Sequence, residues 1–281
     1  MRVKINDGIS LHKFQKKSSQ YIQLKPLVKY DTEKKPYFTV VMLSWNRWEN
    51  LILVLQDLLK HKIPMNLCLT IQECNIIPAE KKKEIEKLIV QFHAADVEWH
   101  SINRGTGAPR GEAIDRALKQ FDSPYILTTD DDMFFPKYSF QALASMLEDK
   151  PEYGVVSLWC DPSYSKIVLE EKPKPRLKVL GFNQGFHDVT CLGSATAMWR
   201  REIFDKCKYD QNYVIGWADF DLTLQIHYAG WKLGVLCLNY LKPLNDKGKN
   251  TPSYNKVRHN IIPANQGKKY FKNKWGFTWG R

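Results

Sequence analysis

"PYFTVVMLSWNRWENLILVLQDLLKH", residues 36–61, opens with an unbroken β-branched and aromatic run and passes straight into a helical pattern. Pro36 to Trp45 shows no polar–apolar alternation, which marks a strand covered on both faces. Leu51, Val54, Leu55, Leu58 and Leu59 then fall at helical spacing, and Asn46 with Glu49 has capping-box spacing, so the helix is expected to start at Asn46. Downstream the alternation repeats. "MNLCLTIQ" reads as a strand, residues 79–93 as a helix striped by Ile85, Leu88, Ile89 and Phe92, and "VEWHSI" as a short strand. A helix over 111–121 follows the glycine-rich loop "NRGTGAPRG", and "PYILTT" is the fourth strand. Parallel strands need crossovers, so this order implies an α/β fold with a mostly parallel central sheet and helices on both faces.

Beyond about residue 150 the pattern changes. "YGVVSLWC" is a strand, while the prolines and charges of the next thirty residues suit a loop or a small mixed subregion. "GSATAMWRREIFDKC" gives a strand and short helix, "GWADFDLTLQIHYAG" a helix and "WKLGVLCLNY" a closing strand. The expected layout is a folded unit over 37–241 between extensions at 1–36 and 242–281.

Charge separates those regions. The net charge is +12, of which residues 1–36 carry +6 and 242–281 carry +9, leaving the middle acidic at −3. Basic ends attract nucleic acid, an anionic membrane surface or a phosphorylated substrate, or serve as solvated tails. No apolar run approaches the ~20 residues that span a bilayer, and the first twenty residues lack the apolar core of a secretion signal. The expectation is a cytoplasmic protein, with basic ends able to rest on the inner face of a membrane. Six scattered cysteines without a C-x-x-C pair are expected to be free thiols.

In α/β sheets of this kind ligands bind beyond the carboxyl ends of the strands. "SWNR", "QECN" and "DDDM" sit there. The three adjacent aspartates, Asp130, Asp131 and Asp132, suit a hard divalent cation such as Mn²⁺ or Mg²⁺, or else a turn or helix cap. Alternation along an extended chain puts Asp130 and Asp132 on one side, making these the better metal ligands. Asp219 and Asp221 in "GWADFDL" form a second acidic pair that does not share a helical face: one is free to point into a cleft while the other supports it, or both offset a helix dipole. Arg110, in a loop opening a helix, suits a diphosphate beside free backbone N–H groups. Trp45 either stacks on a base or packs under the sheet edge, and His187 with Asp188 is an acid–base pair or ordinary surface.

Taken in order, "VVMLSWNR", "NRGTGAPRGEA", "YILTTDDDMFFP", "GSATAMWRREIF" and "GWADFDLTLQIHYAGWKLG" resemble the family-2 glycosyltransferases of the GT-A fold, over about residues 37–241. "KKYFKNKWG" near the C-terminus is similar to endings seen in such proteins. The resemblance implies a nucleotide-binding half over 37–135 and an acceptor and catalytic half over 136–241. It implies nucleotide contacts from Ser44, Trp45, Asn46 and Arg47, base or ribose contact from Glu73, and diphosphate contact from Arg110. Asp130 would meet the ribose and support the metal, Asp132 would bind the metal, and Asp131 is assigned to the substrate. In "GWADFDL", Trp217 would contact substrate, Asp219 takes the place of the catalytic base and Asp221 that of a supporting acid. Two departures stand out. Ala218 replaces a usual glutamate, and the histidine that many relatives place after the last strand is missing, leaving Asn239, Asn245, Asp246, water or phosphate oxygens as the third metal ligand.

The implied reaction is inverting transfer from a nucleotide diphosphate sugar, a UDP-sugar by preference, to a hydroxyl of a surface glycan or lipid-linked saccharide. Rival readings are sugar transfer to modified DNA bases, a nucleotidyltransferase, and a silent nucleotide-sugar-binding protein.

Overall fold

Val40 and Met42 point into one apolar cluster and Val41 into the other, all fully buried, as period-two geometry demands of a strand covered on both faces. That strand lies inside the main sheet of a computed structural model describing residues 3–5, 9–11, 36–159, 165–171, 174–181, 185–237 and 261–278. A hairpin of β1 (Val3–Ile5) and β2 (Ile9–Leu11) precedes it. The first half comprises β3 (Phe38–Trp45), α1 (Trp48–Lys60), β4 (Asn66–Gln72), α2 (Ala79–Ile89), β5 (Ala94–His100), α3 (Gly107–Gln120) and β6 (Tyr125–Asp130). β6, β3, β4 and β5 are adjacent and parallel, so the crossover reading holds.

The second half continues with α4 (Ser139–Asp149), β7 (Tyr153–Trp159), β8 (Ser165–Glu170), β9 (Arg176–Gly181), β10 (Gly185–Val189) and β11 (Thr196–Arg200). α5 (Ala218–Tyr228), β12 (Lys232–Cys237) and α6 (Ile261–Trp275) complete it. The eight-stranded sheet runs β10-β12-β7-β11-β6-β3-β4-β5. β11 is antiparallel to both β6 and β7, with Thr196 opposite Thr129. Its start therefore lies beside the end of β6, at the rim where the parallel strands finish.

Several local expectations need correction. No capping box forms at Asn46. That residue takes a left-handed φ of 53°, which asparagine tolerates, and α1 begins at Trp48 without a side-chain cap. α3 starts at Gly107 rather than 111, with Pro109 in its first turn, where a missing N–H does no harm. The segment expected to be irregular holds the antiparallel pair β8–β9, anchored by buried Leu177. α6 lies in the region read only as a basic extension, yet its Phe271 is fully buried beside Trp217 and Phe277. Its apolar positions are few and separated by lysines, so the periodicity that marks a helix is weak there.

The glycines of "NRGTGAPRG" serve packing. A Cβ on Gly107 would sit 2.2 Å from the carbonyl oxygen of Tyr213, and one on Gly105, at φ +83°, 2.3 Å from that of Val214. Gly107→Ala is expected to destabilise the fold by about 1–3 kcal/mol through forced separation of α3 from this segment. Urea unfolding checks it, and an unchanged midpoint would show that the two segments are not held in contact. Among the described residues no helix is long and apolar enough to cross a membrane, and the described cysteines are free thiols.

Candidate active site

β6 ends at Asp130 and the chain turns at once, so the alternation expected of the aspartates does not extend past it. Asp131 and Asp132 instead converge on a single guanidinium. Arg47, at the end of the β3 turn, donates to Asp131 through Nη2 and to Asp132 Oδ2 at 2.6 Å through Nη1. Ser44 Oγ donates to Asp131 Oδ2 at 2.7 Å. Asp131 is fully buried and Asp132 is 4% exposed. Burial pushes Asp131 up to about 7, against the pull of Arg47.

Asp130 faces the other way. Its side chain is 38% exposed and accepts a hydrogen bond from Arg110 Nη2. Arg110 Nη1 also donates to Ser194 Oγ at 2.5 Å, and that hydroxyl donates to Asp219 Oδ1 at 2.7 Å. A continuous path thus runs Asp130–Arg110–Ser194–Asp219 between the two acidic clusters. Burial works against the charge on Arg110, but Asp130, Tyr209 and Asp219 outweigh it and hold the guanidinium above the usual arginine range. Tyr209 donates a further bond to Asp219 Oδ1 at 2.8 Å. Asp219 Oδ2 takes no hydrogen bond among the described residues, and the residue is half-buried.

Asp221 has a different setting. Two residues on a helix differ by about 200° in direction. Accordingly it is fully buried, accepting from Trp275 Nε1 at 2.7 Å, Gln225 Nε2 at 2.7 Å, Lys274 Nζ at 2.9 Å and Tyr213 Oη at 3.3 Å. Ala218 is buried in the apolar cluster, so a glutamate there would have to enter the core. Trp217 caps α5 in a left-handed conformation and packs on Phe220 and Phe271.

At the far side of β3, Trp45 Nε1 donates to Glu73 Oε2 at 2.6 Å, both half-buried at adjacent strand ends. Glu73 and Trp217 have left-handed backbones, as do Asn46, Lys62 and Tyr138, a state that asparagine tolerates and that costs most other residues besides glycine. The backbone N–H groups of the loop before α3 are already engaged. Arg104 N donates to Gln72 Oε1, Gly105 N to Asn103 Oδ1 and Thr106 N to Val214 O. His187 and Asp188 lie on β10 at the sheet edge, where Asp188 accepts the hydroxyl of Tyr153.

Sequence reading missed Ser194, Tyr209, Lys274 and Trp275. Ser194 stands inside a quoted motif, but its role depends on the reversed direction of β11, which no local pattern announces. No group of three or more His, Cys, Asp or Glu forms a metal cage among the described residues, and Asn239, Asn245 and Asp246 lie outside them.

Solved structures with this architecture are GT-A glycosyltransferases. Residues 1–349 of S. aureus TarS align at 17% identity and a TM-score of 0.53, covering 73% of this chain and 59% of that one. The mannosyltransferase PcManGT from Pyrobaculum calidifontis, solved with GDP-Man and Mn²⁺, aligns at 13% identity and a TM-score of 0.50, covering 77% and 59%. TarS 1–349 in complex with UDP-GlcNAc gives 17% identity and 0.50, covering 73% and 57%. The chain spans about three fifths of the length of these neighbours. The fold is GT-A, an α/β sandwich around a mostly parallel sheet.

Residues 39–208 match the profile described as "Glycosyl transferase family 2", and the chain belongs to that family. A search of curated protein sequences returns no match.

Proposed function

We propose that the protein transfers a sugar from a nucleotide diphosphate sugar to an acceptor hydroxyl, with inversion at the anomeric carbon. What supports this is the hydrogen-bonded path from Asp130 through Arg110 and Ser194 to Asp219, because it couples a diphosphate-side cation to a carboxylate with one open oxygen. Ser194 and Tyr209 fix Oδ1 of Asp219, and Oδ2 takes the proton of the attacking hydroxyl. Arg110 sets positive charge beside the leaving diphosphate. Trp45 and Glu73 meet base or ribose, and Trp217 borders the acceptor.

The hard carboxylate oxygens of Asp130 and Asp132 suit Mg²⁺ or Mn²⁺ in chemistry, and Asp130, the more exposed of the two, would hold the ion, with Asp132 joining it only on leaving Arg47. Once bound, it supplies charge that offsets what develops on the leaving group. Arg47 is then a rival for Asp132, since the two cations claim the same carboxylate. We favour a UDP-sugar donor and a glycan or lipid-linked acceptor, with 37–135 as the donor half and 136–241 as the acceptor half.

Calorimetry and turnover with Mn²⁺ and a panel of sugar nucleotides test the reading. One nucleotide is expected to bind and be hydrolysed slowly, with Asp132→Ala weakening binding at least about tenfold, the effect of losing a charge-assisted contact. No binding or hydrolysis by the unaltered protein, with no effect of Asp132→Ala, would remove the enzyme reading.

A further inference from the structure

α6 meets the segment that carries Asp219 at several points. Lys274 Nζ reaches Asp221 at 2.9 Å and Asp210 at 2.7 Å, and Trp275 Nε1 reaches Asp221 at 2.7 Å. Tyr270 Oη donates to Asp210 Oδ2 at 3.0 Å. Asp210 adjoins Tyr209, whose hydroxyl holds Asp219 Oδ1. Phe271 packs on Trp217 with ring centroids 4.8 Å apart, Trp275 stacks on Tyr228 at 5.6 Å, and Gly267 lies against the carbonyls of Ile215 and Gly216. Past the helix, Thr278 O accepts from Leu177 N at 3.0 Å, tying the segment to β9.

Apart from the Thr278–Leu177 bond, these contacts fall on residues 210–228, on both sides of Asp219 and at both ends of α5. We propose that α6 is a latch that fixes Asp219 in place, with Lys274, Trp275 and Asp221 as positioning residues rather than participants in proton transfer. Asp221 suits that task because four donors saturate its buried carboxylate, leaving no lone pair for a substrate. Burial disfavours the charge on Lys274, but its hydrogen bonds to Asp210 and Asp221 hold it above the usual lysine range. The ammonium therefore stays on across the neutral range. The latch itself stands on geometry, and its catalytic consequence rests on the glycosyl-transfer reading above.

The test uses the full chain with Lys274→Met, Lys274→Arg and Trp275→Phe. In hydrogen–deuterium exchange, Lys274→Met is expected to speed exchange at least about tenfold over residues 209–222, leaving β3 and β4 protected, because local opening free energies differ between regions. Lys274→Arg restores protection. In turnover, kcat falls about tenfold to 100-fold, as for a small misplacement of a catalytic group, while donor KM stays within about twofold. Should Lys274→Met fail to fold, Trp275→Phe removes the indole N–H together with part of the ring, keeps an aromatic face for Tyr228 and carries the same comparison. Exchange that rises only within 261–278, or evenly throughout, overturns the latch. Faster exchange at 209–222 with unchanged kcat overturns the positioning role. Absence of transfer by the unaltered protein overturns the glycosyl-transfer reading instead, and the exchange result still decides the latch.

Discussion

Asp219→Asn is expected to lower turnover about 100- to 10,000-fold, the range for loss of a general base, while donor binding holds. The replacement is nearly isosteric. Its amide oxygen can still accept from Ser194 and Tyr209, which now hold Oδ1 at 2.7 and 2.8 Å, so the geometry of the site survives and only basicity goes. Steady-state kinetics with calorimetric donor titration separates the two effects. Turnover within about threefold of the unaltered protein would take the base role from Asp219, since a lost proton acceptor costs far more than that.

Arg47→Met is expected to be the most destabilising single change at the site. It strands the buried carboxylates of Asp131 and Asp132, and breaking a buried ion pair by removing one partner costs roughly 3–5 kcal/mol. The pH dependence has a definite sign. Asp131 is held above its ordinary 3.8, at about 7, so the folded chain binds this proton more tightly than the unfolded chain does. Stability from this group is thus fully present below pH 3.8 and lost as pH rises through about 7. Without the guanidinium the loss deepens, so the gap between variant and parent widens with rising pH. Urea denaturation at pH 5 and at pH 8 checks it, and a gap that narrows with pH would contradict the pull of Arg47 on the charged form of Asp131.

Much of this molecule was legible in local pattern. The run from Pro36 to Trp45 announced a strand buried on both faces, and the alternation to Asp130 announced the parallel half with its acidic rim. The failures have physical causes. Asn46 and Glu49 have capping-box spacing, but Arg47 is drawn to the aspartates and the chain turns through a left-handed residue first. The three aspartates were sorted by alternation, whereas the strand stops at the first of them. The glycine-rich loop before Arg110 gave no sign of its packing partners, because Gly105 and Gly107 answer to Val214 and Tyr213, far away in the sequence. α6 was opaque because its stability comes from docking Phe271 and Trp275 rather than from its own periodicity.

The reversed strand β11 turns the sheet into a ruler. Thr196 lies opposite Thr129, which brings Ser194, two residues ahead of it, to the rim within reach of Arg110. A slip of two residues would keep every side chain on its own face, so the inside–outside pattern alone does not forbid it. Yet it would carry Ser194 about 7 Å along the rim, beyond any hydrogen bond to Arg110 or Asp219. The same slip would pull fully buried Trp199 off Thr128, so the register that packs the core is also the one that completes the path between the two carboxylates.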